Sequence, residues 1–289
     1  MASMALCGGA ILALAPPALA TFPGKNGRIA FNRGGETIYT MRPDGSQLRH
    51  VVSWADEPDY SPSGRRILFD GTGRDPYLYT SRPDGTKRRP IPHTYFAQDG
   101  AFAPSGKRVV SFEYPPPYEH YLLYTIRLDG SHRHQIGRDL FDPTFSPNGN
   151  WIAFEEEDQI GLIRANGRGK RLLTDGVGHT DEAPDFSPGG RRIVFMRNYW
   201  DEFRFGIYTI RQDGTHLRRV YEVTDIRVND PVFSPNGRKI AFARWRKREP
   251  GGIDHDPKLY TLRLDGSHLT RVSHHDARKH SKPSWGVRP

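Results

Sequence analysis

The most constraining feature of this 289-residue chain is a segment that it repeats six times. Each copy centres on a tight-turn dipeptide, and copies follow one another at intervals of roughly 40 to 50 residues. The dipeptides are Asp44-Gly45, Asp84-Gly85, Asp129-Gly130, Asn166-Gly167, Asp213-Gly214 and Asp265-Gly266. A period of this length indicates a repeat architecture in which each copy forms one supersecondary unit.

A second motif alternates with the first and combines an aromatic residue, a Pro, a Gly and a short apolar run, as in YSPSGRRILF and FSPNGRKIAF. Pro fixes φ and Gly accepts the left-handed conformation, so this motif predicts a tight turn. Asp-Gly and Asn-Gly between apolar runs predict hairpins. The runs themselves are short and rich in β-branched and aromatic residues, which favours strands. Each unit therefore predicts four antiparallel strands, such as PDFSP, RIVFMR, GIYTIR and LRRVY.

Six units of four strands predict an all-β fold, a six-bladed β-propeller that occupies residues 21–289 and has no helix of any length. The sixth unit is split between NGRIAF near the N-terminus and KPSWG near the C-terminus. If these two segments pair in one sheet, the ring closes and no sheet edge stays open. Pairing of the terminal strands is therefore the predicted closure.

The motif DEPDYSPSGRRILF followed by YLYTSRPDGTKRR resembles the TolB-type, WD-like propeller repeat, and all six units share the resemblance. It implies a TolB-like propeller. The chain departs from that pattern where Asp usually precedes the turn Gly, at Ser63, Ser105, Asn148, Gly189 and Asn236. We also expect no separate N-terminal domain of the kind that precedes the propeller in TolB. The resemblance thus supports the fold rather than a role in the Tol–Pal system.

Residues 1–20 have the pattern of a signal peptide, with an apolar stretch, small residues at Ala18 and Ala20, and cleavage expected before Thr21. We therefore expect an exported protein, extracellular or periplasmic. The single Cys, Cys7, would leave with this segment, so no disulfide is expected. No other apolar run approaches the roughly 18 residues that a membrane span needs. The mature chain is expected to be a monomer.

The sequence predicts a ring of charged residues where the innermost strands begin. Alignment of the units places one residue of each at the mouth of the central channel, and the ring also includes Glu182, beside the Ala. The aligned residues are Glu57, Asp99, Asp142, Ala183, Asp230 and Lys282. Carboxylates there would attract a cation or a peptide carrying Lys or Arg. The alternative is that each acid accepts hydrogen bonds from backbone amides at a blade junction.

Aromatic residues in the variable loops form a second candidate site, since large rigid rings suit peptide or sugar recognition. The alternative is that they pack beneath long loops as small apolar clusters. The residues proposed for ligand binding are Trp54, Tyr95, Tyr199, Trp200 and Trp245.

The net charge of +9 comes from Arg and Lys beside the turns and on the outer strands. The repeat spreads this charge around the disc, and no nucleic-acid motif accompanies it, so a nucleic-acid partner is not predicted. His274, His275 and His280 are candidates for a transition-metal site, but their spacing is that of a loop between blades. No cofactor is predicted.

Taken together, these patterns predict an exported, non-catalytic binding scaffold that recognises a protein or peptide at the loop face around the channel mouth. Carbohydrate is a second class of ligand. The alternative function is a metal-assisted polysaccharide lyase or hydrolase that uses the histidine loop or the acidic ring. No nucleophile elbow supports an enzyme.

Overall fold

The computed structural model describes residues 22–74, 76–116, 118–248, 252–253, 257–273 and 280–289. Over these residues the chain forms six antiparallel sheets arranged as blades, and each blade has a path of four strands. The predicted fold class, an all-β propeller of six four-stranded blades, is confirmed. Between two strands of blade five lies a single turn of 3₁₀ helix, Trp200–Glu202.

The strands follow the repeat. Blade one contains β1 (Asn26–Arg33), β2 (Thr37–Met41) and β3 (Arg49–Ser53). Blade two contains β4 (Ala55–Tyr60), β5 (Ile67–Gly71), β6 (Leu78–Ser81) and β7 (Arg89–Pro90). Blade three contains β8 (Gln98–Phe102), β9 (Arg108–Glu113), β10 (Leu122–Arg127) and β11 (His134–Arg138).

Blade four contains β12 (Phe141–Phe145), β13 (Trp151–Glu156), β14 (Gln159–Arg164) and β15 (Arg171–Leu172). Blade five contains β16 (Thr180–Phe186), β17 (Arg192–Tyr199), β18 (Arg204–Arg211) and β19 (Arg218–Thr224). Blade six contains β20 (Ile226–Phe233), β21 (Lys239–Arg248), β22 (Gly252–Ile253), β23 (Lys258–Arg263) and β24 (Thr270–Arg271). The last strand is β25 (His280–Val287).

The terminal strands close the ring as predicted. β25 is the innermost strand of blade one and pairs antiparallel with β1, with Ile29 opposite Trp285 and Ala30 opposite Ser284. The first and last units of the repeat therefore share one sheet. This pairing gives blade one a fourth, innermost strand like that of the other five blades.

Apolar packing between blades explains why the unit is repeated. Six hydrophobic clusters lie among the described residues, and each joins side chains from two neighbouring blades. The second strand of a blade is buried on both faces: in β1, Ile29 and Phe31 contact blade six, whereas Ala30 contacts blade two. A single blade cannot bury both of its faces, so the repeat supplies a neighbour on each side.

The Asp-Gly hairpins use a different turn from the one that the sequence alone favours. Within the Asp-Gly dipeptide only the Gly has a positive φ, as at Gly45 with φ of 83°. The Gly45 N–H donates to the Arg42 carbonyl at 2.8 Å, and the Asp44 carboxylate accepts the Ser46 N–H at 2.9 Å. Each hairpin is thus a tight turn that ends in a left-handed Gly, and the Asp side chain satisfies the following backbone amide.

Loss of the closing side chain is expected to destabilise the whole ring. Trp285 is 5% exposed and packs in the cluster between blades six and one. Trp285→Ala should lower the free energy of unfolding by about 3–5 kcal/mol, because it leaves a cavity. Trp54→Ala removes the same side chain at a position that is 65% exposed, and should change the free energy by about 0.5 kcal/mol or less. Equal effects in urea titrations of the two variants would show that closure does not depend on this contact.

Candidate functional site: the acidic mouth of the central channel

The six aligned positions of the predicted ring share an unusual backbone conformation. Each lies at an irregularity of the innermost strand, where the pairing register with the second strand shifts. At all six residues φ is positive, between 45° and 53°. A bulge of this kind turns a side chain out of the sheet alternation. The residues are Glu57, Asp99, Asp142, Ala183, Asp230 and Lys282.

These six residues line one cavity at the centre of the ring, with a volume of about 180 Å³. The cavity continues along the inner strands, and Phe22 also lines it. Among the described lining residues, Lys282 is the one cation, and six others carry carboxyl groups. Those acids are Glu57, Asp59, Asp99, Asp142, Asp185 and Asp230. The fold thus concentrates negative charge around the channel.

Lys282 is held by the acids around it. Its ammonium group forms an ion pair with the Glu57 carboxylate. Burial favours the neutral amine, but Glu57, Asp230 and Asp99 outweigh burial and raise the pKa of Lys282. Burial raises the pKa of Glu57, and Asp99 raises it further. A single lysine therefore offsets only part of the negative charge.

Asp99, Glu182 and Glu155 have pKa values well above the usual range for carboxyl groups. Burial, together with the neighbouring Asp142, raises the pKa of Asp99 to about 7. Burial and the charges of Asp142 and Asp230 raise the pKa of Glu182 to about 7. Burial, Asp142 and Glu182 raise the pKa of Glu155 to about 9. The mouth therefore gains negative charge as the pH rises through neutrality.

Several acids also hold neighbouring blades together. The Asp59 Oδ2 atom accepts the N–H of Phe102 in blade three at 2.8 Å. The Asp185 Oδ2 atom accepts the N–H of Phe233 in blade six at 2.7 Å. These two acids lie two residues after the bulge, not at the bulge. One acid of the predicted ring, Asp230, also joins two blades, because its Oδ2 atom accepts the N–H of Lys282 in blade one at 3.2 Å.

The site includes acids that the repeat alignment does not single out. Asp70 lies in β5 and is 7% exposed, and its Oδ2 atom accepts the Asp99 N–H at 2.8 Å. Burial and the charge of Asp99 raise its pKa. Glu155 occupies the corresponding position in β13. A carboxyl group at the end of a strand that is otherwise apolar, as in ILFD and IAFE, is the signal that could have identified both.

Exposed aromatic residues lie on the loops that lead into the inner strands of blades two and three. Trp54 and Phe96 each precede an inner strand by a few residues, and they are 65% and 55% exposed. The Tyr95 and Phe96 ring centroids are 4.3 Å apart, and Tyr77 contacts Tyr95 at 5.2 Å. We call Trp54, Tyr77, Tyr95 and Phe96 the aromatic rim.

The other predicted aromatics lie elsewhere. Tyr199 is partly buried and lies under the Arg204 guanidinium, 3.7 Å from the ring centroid. Trp245 packs against the cluster between blades six and one, as the packing alternative predicts. The side chain of Trp200 lies outside the described residues, although its backbone belongs to the 3₁₀ turn.

The predicted histidine site lies outside the described residues. His274 and His275 lie outside the described residues, as does the side chain of His280. In the described ranges, no group of three or more His, Cys, Asp or Glu residues is arranged to hold a metal ion.

Residues 1–20, predicted to be a signal peptide, also lie outside the described residues. No helix in the described part of the chain is both long and apolar enough to cross a membrane.

Similar solved structures identify the fold class of this chain. No family model matches the chain. The crystal structure of TolB from Acinetobacter baumannii superposes with a TM-score of 0.76, at 17% identity, over 91% of this chain and 67% of that one. A structure described as putative TolB from Agrobacterium tumefaciens gives a TM-score of 0.68 at 19% identity, over 85% of this chain and 87% of that one. At such identities, these structures establish the six-bladed propeller fold.

A sequence relative gives the more specific resemblance. A TolB homolog of Chlorobium luteolum is 27% identical over 196 residues, which cover 63% of this chain and 43% of the homolog. The chain spans about two fifths of the length of the first curated relatives that it matches, 39% and 43%. Together with the two structures, this relative supports a TolB-like propeller, the family suggested by the repeat.

The raised pKa values predict that the protein loses stability as the pH rises. Asp59, Asp99 and Glu182 have pKa values of about 7 in the folded state, whereas carboxyl groups in unfolded chains titrate near about 4. Between these limits the folded state binds more protons than the unfolded state, so the free energy of unfolding should fall from pH 5 to pH 8. Urea titrations across this range measure the slope.

Glu155→Gln should flatten that slope, because it removes the group whose pKa burial and its acidic neighbours raise to about 9. We expect the pH 5 to pH 8 difference to shrink by about 1 kcal/mol or more. Glu156→Gln is the matched control, since Glu156 follows in the same strand and pairs with Lys170. A slope that the two substitutions change equally would contradict the assignment.

Proposed function

We propose that this protein is an exported binding propeller that captures a protein or peptide segment at the loop-face mouth of its channel. The observation that carries the proposal is the ring of bulged, half-buried acids around one lysine. Cationic side chains are the complementary ligands for such a site, since a low-dielectric, negatively charged cleft concentrates positive charge. The resemblance to TolB-type propellers and the signal-like N-terminus support protein binding outside the cytoplasm.

The aromatic rim gives the site its second element. Its exposed rings lie on loops that enter the inner strands just before the acids, as Trp54 precedes Glu57 and Phe96 precedes Asp99. Aromatic side chains are frequent energetic anchors of protein interfaces. The preferred ligand is therefore a segment that carries Lys or Arg next to an apolar residue. A scaffold of this kind acts by binding and needs no catalytic group.

The electrostatic state of the mouth should make this binding dependent on pH. Asp99 and Glu182, each with a pKa of about 7, are neutral below that value and charged above it. Protonation removes attraction for a cation. The affinity for a cationic peptide should therefore rise as the pH increases from 6 to 8.

Selection from a random peptide library displayed on phage, with the purified protein immobilised, tests the proposal. We expect enriched peptides to carry Lys or Arg beside an aromatic or aliphatic residue. One enriched peptide, synthesised with a fluorescent label, should then bind Asp99→Asn/Asp142→Asn about tenfold more weakly than the unmodified protein at pH 8, because two attracting charges are lost. Fluorescence anisotropy gives the dissociation constants.

Asp213→Asn/Asp265→Asn is the matched control. It removes the same two charges from exposed Asp-Gly turns, and Asn occupies the equivalent turn position in blade four. This control should bind the peptide as the unmodified protein does. Peptides that bind all three proteins equally would exclude the channel mouth as the site.

A further inference from the structure

A second groove lies on the other side of the disc, between blades two and three. Its volume is about 1160 Å³, and it is formed by turns and by the ends of strands β6, β7 and β10. The Ser-Pro-x-Gly and Asp-Gly turns all lie on this face, opposite the loops that surround the channel mouth, because successive connections of an antiparallel blade alternate ends. The groove is therefore separate from the proposed peptide site.

The lining of this groove is strongly basic. It contains seven cationic side chains, and Asp129 is the one acid among the described residues that line it. The cations are Arg65, Arg66, Arg82, Lys87, Arg89, Lys107 and Arg127. All seven are exposed. The sequence suggested that the positive charge is spread around the disc. In the structure, part of it is gathered in this groove.

These seven cations have no ion-pair partner among the described residues. In blades three to five, by contrast, Arg133 pairs with Glu113, Lys170 pairs with Glu156, and Arg197 pairs with the buried Asp181. The Asp129 carboxylate is occupied by its own turn, where it accepts the N–H and hydroxyl of Ser131 at 2.9 and 2.6 Å. The donors of the groove are therefore available to an external anion.

The remaining lining residues indicate which kind of anion fits. Exposed hydroxyl groups lie among the cations at Ser63 and Ser105, whereas Ser61, Thr80 and Ser81 of the lining are buried. No aromatic residue belongs to the described lining, and aromatic rings are what proteins use to stack the bases of single-stranded nucleic acid. Arg and Lys bind sulfate, phosphate and carboxylate groups, and hydroxyls suit the hydroxyls of sugars. The volume exceeds that of a site for one small ion.

From this combination we infer that the groove between blades two and three binds an anionic oligosaccharide, one that carries several sulfate, phosphate or carboxylate groups. The arginine forks contact the anionic groups, and the exposed hydroxyls of Ser63 and Ser105 contact the sugar. This site would let the propeller hold an acidic glycan on one face while the channel mouth on the other face stays open.

A fluorescently labelled heparin octasaccharide is the probe, with binding measured by anisotropy at about 0.15 M salt. Arg65→Glu/Arg89→Glu should weaken binding about tenfold or more, because ion contacts dominate the affinity for a polyanion. The matched control is Arg191→Glu/Arg218→Glu, which makes the same charge change at the corresponding repeat positions of blade five. The control should stay within about twofold of the unmodified protein.

Lys87→Gln provides a milder variant, because Gln47 occupies the same turn position in blade one with nearly the same φ, 53° against 55°. It should weaken octasaccharide binding about twofold to threefold without loss of the thermal unfolding transition.

Three results would overturn the inference. The first is an octasaccharide that does not bind the unmodified protein. The second is an equal loss of binding in the groove variant and the blade-five control, which would indicate net charge alone. The third is tighter binding of a single-stranded oligonucleotide or of polyphosphate with the same number of charges, which would assign the groove to a ligand without sugar recognition.

Discussion

The pairing of β25 with β1 is the contact on which the rest of the structure depends. It joins the two ends of the chain in one sheet, with Trp285 opposite Ile29. Without it, blades one and six would each expose one apolar face, because every cluster of the core is shared between two neighbours. A ring also fixes the distance of each inner strand from the axis. The channel and the charges around it are consequences of closure.

Closure brings together side chains that the chain keeps about one repeat apart. Glu57, Asp99 and Asp142 lie at the same bulge, each in its own blade, and only the circular arrangement places Glu57 next to Asp99 and Asp99 next to Asp142. The repulsion is reduced in two ways. Burial and neighbouring charges favour the protonated acids, and Lys282 supplies a cation from the strand that closes the ring. A cationic ligand would reduce the repulsion between the acids further. The acidic mouth is therefore unfavourable by itself and suited to binding a cation.

The two faces of the disc have opposite character. The loop face has the acidic mouth and the aromatic rim, whereas the turn face has a basic groove between blades two and three. The net charge of +9 describes neither face. Arg133, Lys170 and Arg197 are paired with acids, whereas the seven cations of the groove have no ion-pair partner among the described residues and leave positive charge available there. Local ion pairing, rather than the net charge of the chain, decides which ligands each surface attracts.

The sequence by itself determined the blade, the number of blades and the closure. Turn residues at a fixed spacing specify a strand order, because Gly after Asp and Gly after Ser-Pro-x permit only tight connections. The split unit at the two termini specifies how the ring ends. The six positions of the ring also followed from alignment, since each bulge occurs at the same place in its repeat.

Tertiary structure decided which groups meet. Asp70 and Glu155 lie in second strands, and each accepts a backbone N–H from the next blade, at Asp99 and Ala183, a contact that no periodicity encodes. Trp245 and Tyr199 look like loop aromatics in the sequence, yet neighbouring elements cover them. The basic groove likewise exists only because turns from two blades, more than 60 residues of chain from first to last, enclose one space. Contacts between distant residues depend on packing, and packing is a property of the whole ring.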